Sequence, residues 1–287
     1  MSRQAYVNGR FVAHGGAMVH IEDRGYQLAD GVYEVWAVMG GKLSDAEGHF
    51  ERLERSLDEL RIDHPMSRKA LTVILKETVR RNRVREGLVY LQVTRGVARR
   101  DHAFPTVPTA PSVVVTAKSL NRAATNAKAE AGAGVITLPE NRWGRCDIKT
   151  VGLLPNVLAK QAAREQGAIE AWFVDPQGFV TEGASSNAWI LDRDGVLRTR
   201  DIEANILRGI TRKSLLAVIA DAGLTFEERA FTPQEAMEAR EAFITGAGTL
   251  VTPITSIDGR PVGNGHPGEM ALRLRGLYIQ HAQNAGI

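Results

Sequence analysis

Cysteine is nearly missing from this chain: Cys146 is the only one in 287 residues. A lone thiol excludes an intrachain disulfide and a cysteine-based metal cluster. Long apolar runs are missing too. Nothing approaches the roughly 18 consecutive apolar residues of a membrane helix, and the opening "MSRQAYVNGRFVAHGG" lacks the apolar core of a secretion signal. No sign of charge dominates, since 36 Lys and Arg face 33 Asp and Glu for a net charge of +3. The densest basic run, "RRNRVREG" at 80–87, has no aromatic residue among its charges. It reads as the polar end of a helix rather than a nucleic-acid surface. The expectation is a cytoplasmic protein with neither a membrane nor a nucleic-acid partner.

What is present suits a soluble globular protein, with 44% hydrophobic and 24% charged residues and enough length for two domains. Asn8-Gly9 between "AYV" and "RFV" signals a hairpin, and "GVYEVWAVMGGKL" reads as a strand pair turning at Gly40-Gly41. Residues 44–62 carry Phe50, Leu53, Leu57 and Leu60 at helical spacing, and a second helix is predicted over about 67–82. Two strands, "LVYLQVTRG" and "PSVVVTAKSL", complete an N-terminal domain of residues 1–121. The small, polar, aperiodic segment "NRAATNAKAEAGAG" suggests an interdomain linker over 122–134. A C-terminal domain over 135–287 follows, with a strand "GVITLP" and a short apparent strand "CDIK". A helix over about 154–166 then places Leu154, Val157 and Leu158 on one face. Hairpins turn at 175–178 and at Asp194-Gly195, and further helices are predicted over 210–222, after Thr232 and over about 267–283. Strands and helices mix without strict alternation, so the fold class is α+β with two domains.

Four stretches can carry chemistry. Lys149, between "CDI" and a helix, is either a solvated charge or an amine projecting into a crevice. "VTEGASSNAWI" offers Glu182 and small polar groups, which equally serve as turn chemistry. "ILRGITRKSLL" puts Gly209 before a helix whose first residues, Ile210 and Thr211, present free amides and one hydroxyl. That is an anion site by construction, or an ordinary helix start. The Gly-rich bend "ITGAGT" at 244–249 has amides able to reach a phosphate.

In this order and spacing, "EDRGYQLADGVYEV", "IK…LLPNVLAKQAAREQGAIEAWFVD…VTEGASSNAWI" and "ITGAGTLVTP" resemble the fold-type IV pyridoxal-phosphate enzymes. That family includes D-amino-acid, branched-chain and (R)-amine transaminases and aminodeoxychorismate lyase. The resemblance covers nearly the whole chain and implies pyridoxal 5′-phosphate as cofactor, with Lys149 forming its Schiff base. It implies Glu182 at the pyridine nitrogen, and Arg52, Ile210, Thr211 and the Ala247 amide at the phosphate. Ser186, Leu207 and Arg145 would lie at the cofactor. Pattern alone makes Arg52 a solvated member of its helix's charged face.

"VTRGVARRDHAFP" matches the D-amino-acid transaminase pattern, in which an Arg-x-His pair binds the substrate carboxylate from the partner subunit. Here that pair is Arg100 and His102, joined by Tyr33. The resemblance therefore implies a homodimer with its active site at the subunit interface. It would transfer the amine of a D-amino acid such as D-alanine to a 2-oxo acid, 2-oxoglutarate or pyruvate. The alternatives are an (R)-amine or branched-chain transaminase, or a lyase of the same fold. The chain departs from the pattern where Gly246 and Ala247 replace hydroxyl residues, which shifts the phosphate contact there to backbone amides.

Overall fold

The computed structural model describes residues 3–202 and 206–287. The chain divides into two compact units. One comprises the chain up to Asn121, Ile148–Gly152 and Ala285–Ile287, and the other Arg122–Asp147 and Leu153–Asn284.

The first unit contains β1 (Gln4–Val7), β2 (Arg10–Ala13), α1 (Arg24–Leu28), β3 (Gly31–Met39), β4 (Lys42–Leu43), α2 (Ala46–Glu59), α3 (Arg68–Arg81), β5 (Gly87–Thr94) and β6 (Ser112–Ser119). Among the described residues its sheet has the order β2-β1-β6-β5-β3-β4 and is antiparallel throughout. The β1–β2 turn places Asn8 and Gly9 at φ 43° and 95°, the left-handed pair that a two-residue hairpin requires. Strand alternation turns Val32, Glu34, Trp36 and Val38 into the core, where Phe50, Leu53 and Leu57 of α2 pack with the three apolar members of that row. The Ser67 hydroxyl caps α3 through the Ala70 amide, at 3.3 Å. Arg80 and Arg81 of the basic run lie in the last turn of α3, as expected of a polar helix end.

The second unit contains α4 (Arg122–Ala131), β7 (Ala133–Pro139), α5 (Leu154–Glu165), β8 (Glu170–Val174), β9 (Val180–Gly183), β10 (Asn187–Leu191), β11 (Leu197–Thr199), α6 (Ile210–Asp221), β12 (Phe226–Glu228), α7 (Pro233–Glu238), β13 (Glu241–Gly246), β14 (Leu250–Ile257), β15 (Arg260–Pro261) and α8 (Glu269–Asn284). Its sheet runs β12-β11-β10-β13-β14-β7-β8-β9, with β15 paired to β14. Parallel pairs (β11–β12, β14–β7, β7–β8) occur beside antiparallel ones, which suits an α+β fold. No described helix is long and apolar enough to cross a membrane.

Three expectations are corrected. The stretch 122–134 is not an irregular linker. It forms α4 and the start of β7, because its alanines favour helix, Ala129 is fully buried, and Asn126 Oδ1 accepts from Arg275 at 2.9 Å. Among the described residues "CDIK" forms no ladder; Thr150 bridges to Val32, and single hydrogen bonds tie Lys149 to β3 and to Ser56. On α5 the apolar face read from the sequence is the exposed one, with Leu154, Val157 and Leu158 at 69%, 59% and 60% exposure. The small Ala159 and Ala163 are buried instead, where they allow close packing of helix on sheet.

Candidate active site

In the first unit, Lys149 belongs to a segment laid against β3. Tyr33 N donates to Lys149 O at 3.0 Å and Val151 N to Gly31 O at 3.0 Å, while buried Ile148 joins the core. The Lys149 Nζ lies 4.2 Å from the centroid of the Tyr33 ring, a cation–π contact, and pairs with no carboxylate among the described residues. Tyr33 in turn stacks on Tyr90, with centroids 5.6 Å apart. Burial pushes the Tyr90 phenol up to about 12, so it stays a neutral neighbour.

Arg52 is not solvated. Its Nε and Nη2 donate to Oε1 and Oε2 of fully buried Glu34 at 2.6 and 2.8 Å, and His49 Nδ1 lies 2.7 Å from Glu34 Oε2. Burial alone would raise the Glu34 carboxyl, but Arg52 and His49 hold it far below the usual carboxylate range. Burial lowers His49, outweighing the pull of Glu34. Glu34 occupies an inward position of β3, and a buried carboxylate there demands charged partners; the helical spacing i, i+3 supplies both from α2.

Arg100 and His102 are exposed and make no hydrogen bond or ion pair among the described residues. The backbone around them is held firmly: Arg24 Nη1 donates to Asp101 O at 2.7 Å, and the Arg95 guanidinium lies 3.8 Å from the Phe104 centroid.

In the second unit, Glu182 is the centre of a closed network. Arg142 Nη1 donates to Oε1 at 2.5 Å, Asn187 Nδ2 to Oε2 at 3.1 Å, and the Leu207 amide to both oxygens at 3.1 and 3.2 Å. Glu140 receives two further nitrogens of Arg142, at 2.9 and 2.6 Å. Arg142 is therefore the arginine that meets Glu182. Arg145 instead pairs with Asp147 at 2.9 and 3.0 Å. The Ser186 hydroxyl donates to buried Glu170 at 3.0 Å, as does that of Ser185 at 2.7 Å, so Glu170 shapes this turn.

The same unit offers backbone donors for an anion at the start of α6. Gly209 caps α6 without a side-chain acceptor, and the first helical bond runs from Lys213 N to Gly209 O at 2.9 Å. The amides of Ile210, Thr211 and Arg212 are thus left for a ligand. A Cβ at Gly209 would collide with Asn187 Oδ1, so only glycine fits beside the residue that ties Glu182 to Leu207 O. In the turn after β13, which contains Ala247, the buried Thr249 Oγ1 has no partner among the described residues. Open amides at a helix start are the donors that a phosphate group takes up.

The family model described as "Amino-transferase class IV" matches residues 31–257. The chain belongs to the class IV aminotransferases. It is 38% identical over 283 residues to the D-alanine aminotransferase of Staphylococcus aureus (strain MSSA476), covering 98% of this chain and 99% of that one. It is 42% identical over 263 residues to that of Bacillus licheniformis, covering 92% and 91%. Among solved structures, the branched-chain aminotransferase of the archaeon Thermoproteus uzoniensis with norvaline is similar at a TM-score of 0.83 and 27% identity, covering 98% of this chain and 94% of that one. The α+β reading agrees with this class IV fold.

Within this aminotransferase the structure brings Lys149 to Tyr33, and Glu182 to Leu207. Ser186 and Arg145 have their own carboxylate partners. Sequence reasoning missed Glu34, His49, Arg142 and Glu170, and read Asn187 only as a small polar group of its turn. Only Glu34 had a legible signal, as the one acidic residue in the inward row of β3.

Proposed function

We propose that this aminotransferase moves the amino group of a D-amino acid such as D-alanine to a 2-oxo acid, 2-oxoglutarate or pyruvate. The observation that carries the reading is the pair Arg100 and His102, two uncommitted groups on a firmly held loop. A guanidinium left without a protein partner is suited to bidentate capture of a carboxylate, and the near full-length likeness to D-alanine aminotransferases supports an α-carboxylate substrate.

Pyridoxal 5′-phosphate, when bound, supplies the electron sink that makes the substrate Cα acidic. Lys149 would hold the cofactor through its amine and would act as the base at the substrate Cα. Glu182, held by Arg142, Asn187 and the Leu207 amide, would favour a protonated pyridine nitrogen. The amides of Ile210, Thr211 and Ala247 are assigned to the phosphate, together with the charge of Arg52. Tyr33, Arg100 and His102 are assigned to the substrate carboxylate.

The reading includes a homodimer in which the Arg100–His102 loop serves the partner copy. Exposed apolar residues support an interface: Met18, Ile21 and Tyr26 in the first unit are 81%, 74% and 74% exposed. The Ala98 amide donates to Glu22 O, which sets that segment beside the loop.

The test is chiral analysis of the products from D-alanine and 2-oxoglutarate. Stoichiometric D-glutamate and pyruvate are expected. Repeated release of pyruvate and ammonia from D-serine without any acceptor would point to a lyase, and turnover of L-alanine in place of D-alanine would overturn the reading.

A further inference from the structure

The substrate loop runs from Arg95 to Pro111 without a helix or strand, so its shape must be set by side chains from elsewhere. One partly buried aspartate organises it. Asp30 follows α1 and takes two guanidinium groups: Arg24 Nε at 2.8 Å, and Arg95 Nε and Nη2 at 2.7 and 3.0 Å. Burial raises the Asp30 carboxyl, but hydrogen bonds and charge from Arg95 and Arg24 overcome this and hold it below its ordinary range. Arg95 also donates to the carbonyls of Arg61 and Leu60, at 2.7 and 2.8 Å, which locks its plane for Phe104 to rest on.

Arg24 is the member that reaches the loop's centre. Its amide donates to Gly96 O at 2.9 Å, and its Nη1 donates to Asp101 O at 2.7 Å. Asp101 stands between Arg100 and His102. Because the peptide group is planar, holding the Asp101 carbonyl also fixes the plane that leads into His102. Two nitrogens of one rigid fork are used, one on a carboxylate and one on a backbone carbonyl, and a lysine cannot reproduce that pair. Arg24 is buried and touches neither Lys149 nor Tyr33 through any hydrogen bond.

We propose that Arg24, anchored on Asp30, is a positioning residue that sets the Arg100–Asp101–His102 backbone for substrate-carboxylate binding. This rests on the reading of Arg100 and His102 given above.

The experiment compares Arg24→Met, Arg100→Met and the double variant as purified holoenzymes. It measures KM and kcat for D-alanine, the inhibition constant of propionate as a bare carboxylate, and the cofactor absorbance. Arg24→Met should raise KM and the propionate constant together by about 10- to 100-fold, leave kcat and absorbance close to wild type, and add little on top of Arg100→Met. An unchanged KM and propionate constant in Arg24→Met, beside a raised pair in Arg100→Met, would overturn the positioning role. So would full additivity in the double variant. An Arg100→Met enzyme with wild-type KM would instead sink the carboxylate-site reading itself. Should Arg24→Met fail to fold, Phe104→Ala, at an exposed ring held by the same cluster, enters the loop from its other end. The same joint rise in KM and propionate constant is expected there, and its absence would count against the proposal.

Discussion

Glu182 and Arg100 are opposite in charge and in freedom. Every oxygen of Glu182 is committed, to a guanidinium, an amide side chain and a backbone amide, and the carboxylate is buried. Arg100 is exposed with no described partner, although the backbone beside it is pinned by a buried arginine. The difference separates two tasks. A group that must keep one charge state is enclosed by partners of the opposite kind, whereas a group that must meet a ligand is left open on a rigid support.

The largest break in this comparison comes from Lys149, the open amine of the first unit. Lys149→Ala should lower kcat by about 10²- to 10⁴-fold, measured as D-alanine turnover at saturation. Next comes the closed network. Arg142→Met removes the guanidinium that faces buried Glu182, and should destabilise the fold by about 3–5 kcal/mol, read from denaturant unfolding. On the open side, Arg100→Met should cost about 1.5–3 kcal/mol of binding, a roughly 10- to 100-fold rise in KM with little change in unfolding. The contrast between those two variants, one losing stability and the other affinity, sharpens the comparison most. A smaller effect is acid sensitivity. His49 and Glu34 both have lowered pKa values in the folded protein, so the unfolded chain binds more protons at low pH. Stability is full above the ordinary His value of 6.5, begins to fall as pH drops through it, and falls further below 4.5 as Glu34 is forced to protonate. His49→Gln should remove the first of these two steps in a pH series of melting temperatures.

Local chemistry made much of the fold legible. Asn8-Gly9, Gly40-Gly41 and Asp194-Gly195 mark turns because left-handed backbone has few residues to choose from, and the periodicity of Phe50, Leu53 and Leu57 marked the buried face of α2. Where partners come from far along the chain, the sequence was silent. Arg142 lies 40 residues from Glu182, and nothing in its neighbourhood distinguishes it from Arg145. On α5, apolar spacing pointed to Leu154, Val157 and Leu158, yet the helix buries its alanines, a choice that depends on how closely it packs on β8. Arg52 shows the same limit from the other side. Its helix phase was readable, but its burial follows from Glu34 on a different element.

The central claim is that this aminotransferase takes D-amino acids through the open Arg100–His102 pair. The most direct test is the absorbance of the holoenzyme on adding D-alanine or L-alanine without an acceptor, in wild type and in Arg100→Met. The account predicts that D-alanine alone bleaches the cofactor's visible band in wild type, and that Arg100→Met needs far higher D-alanine for the same change. Bleaching by L-alanine, or an Arg100→Met enzyme that titrates like wild type, would contradict it.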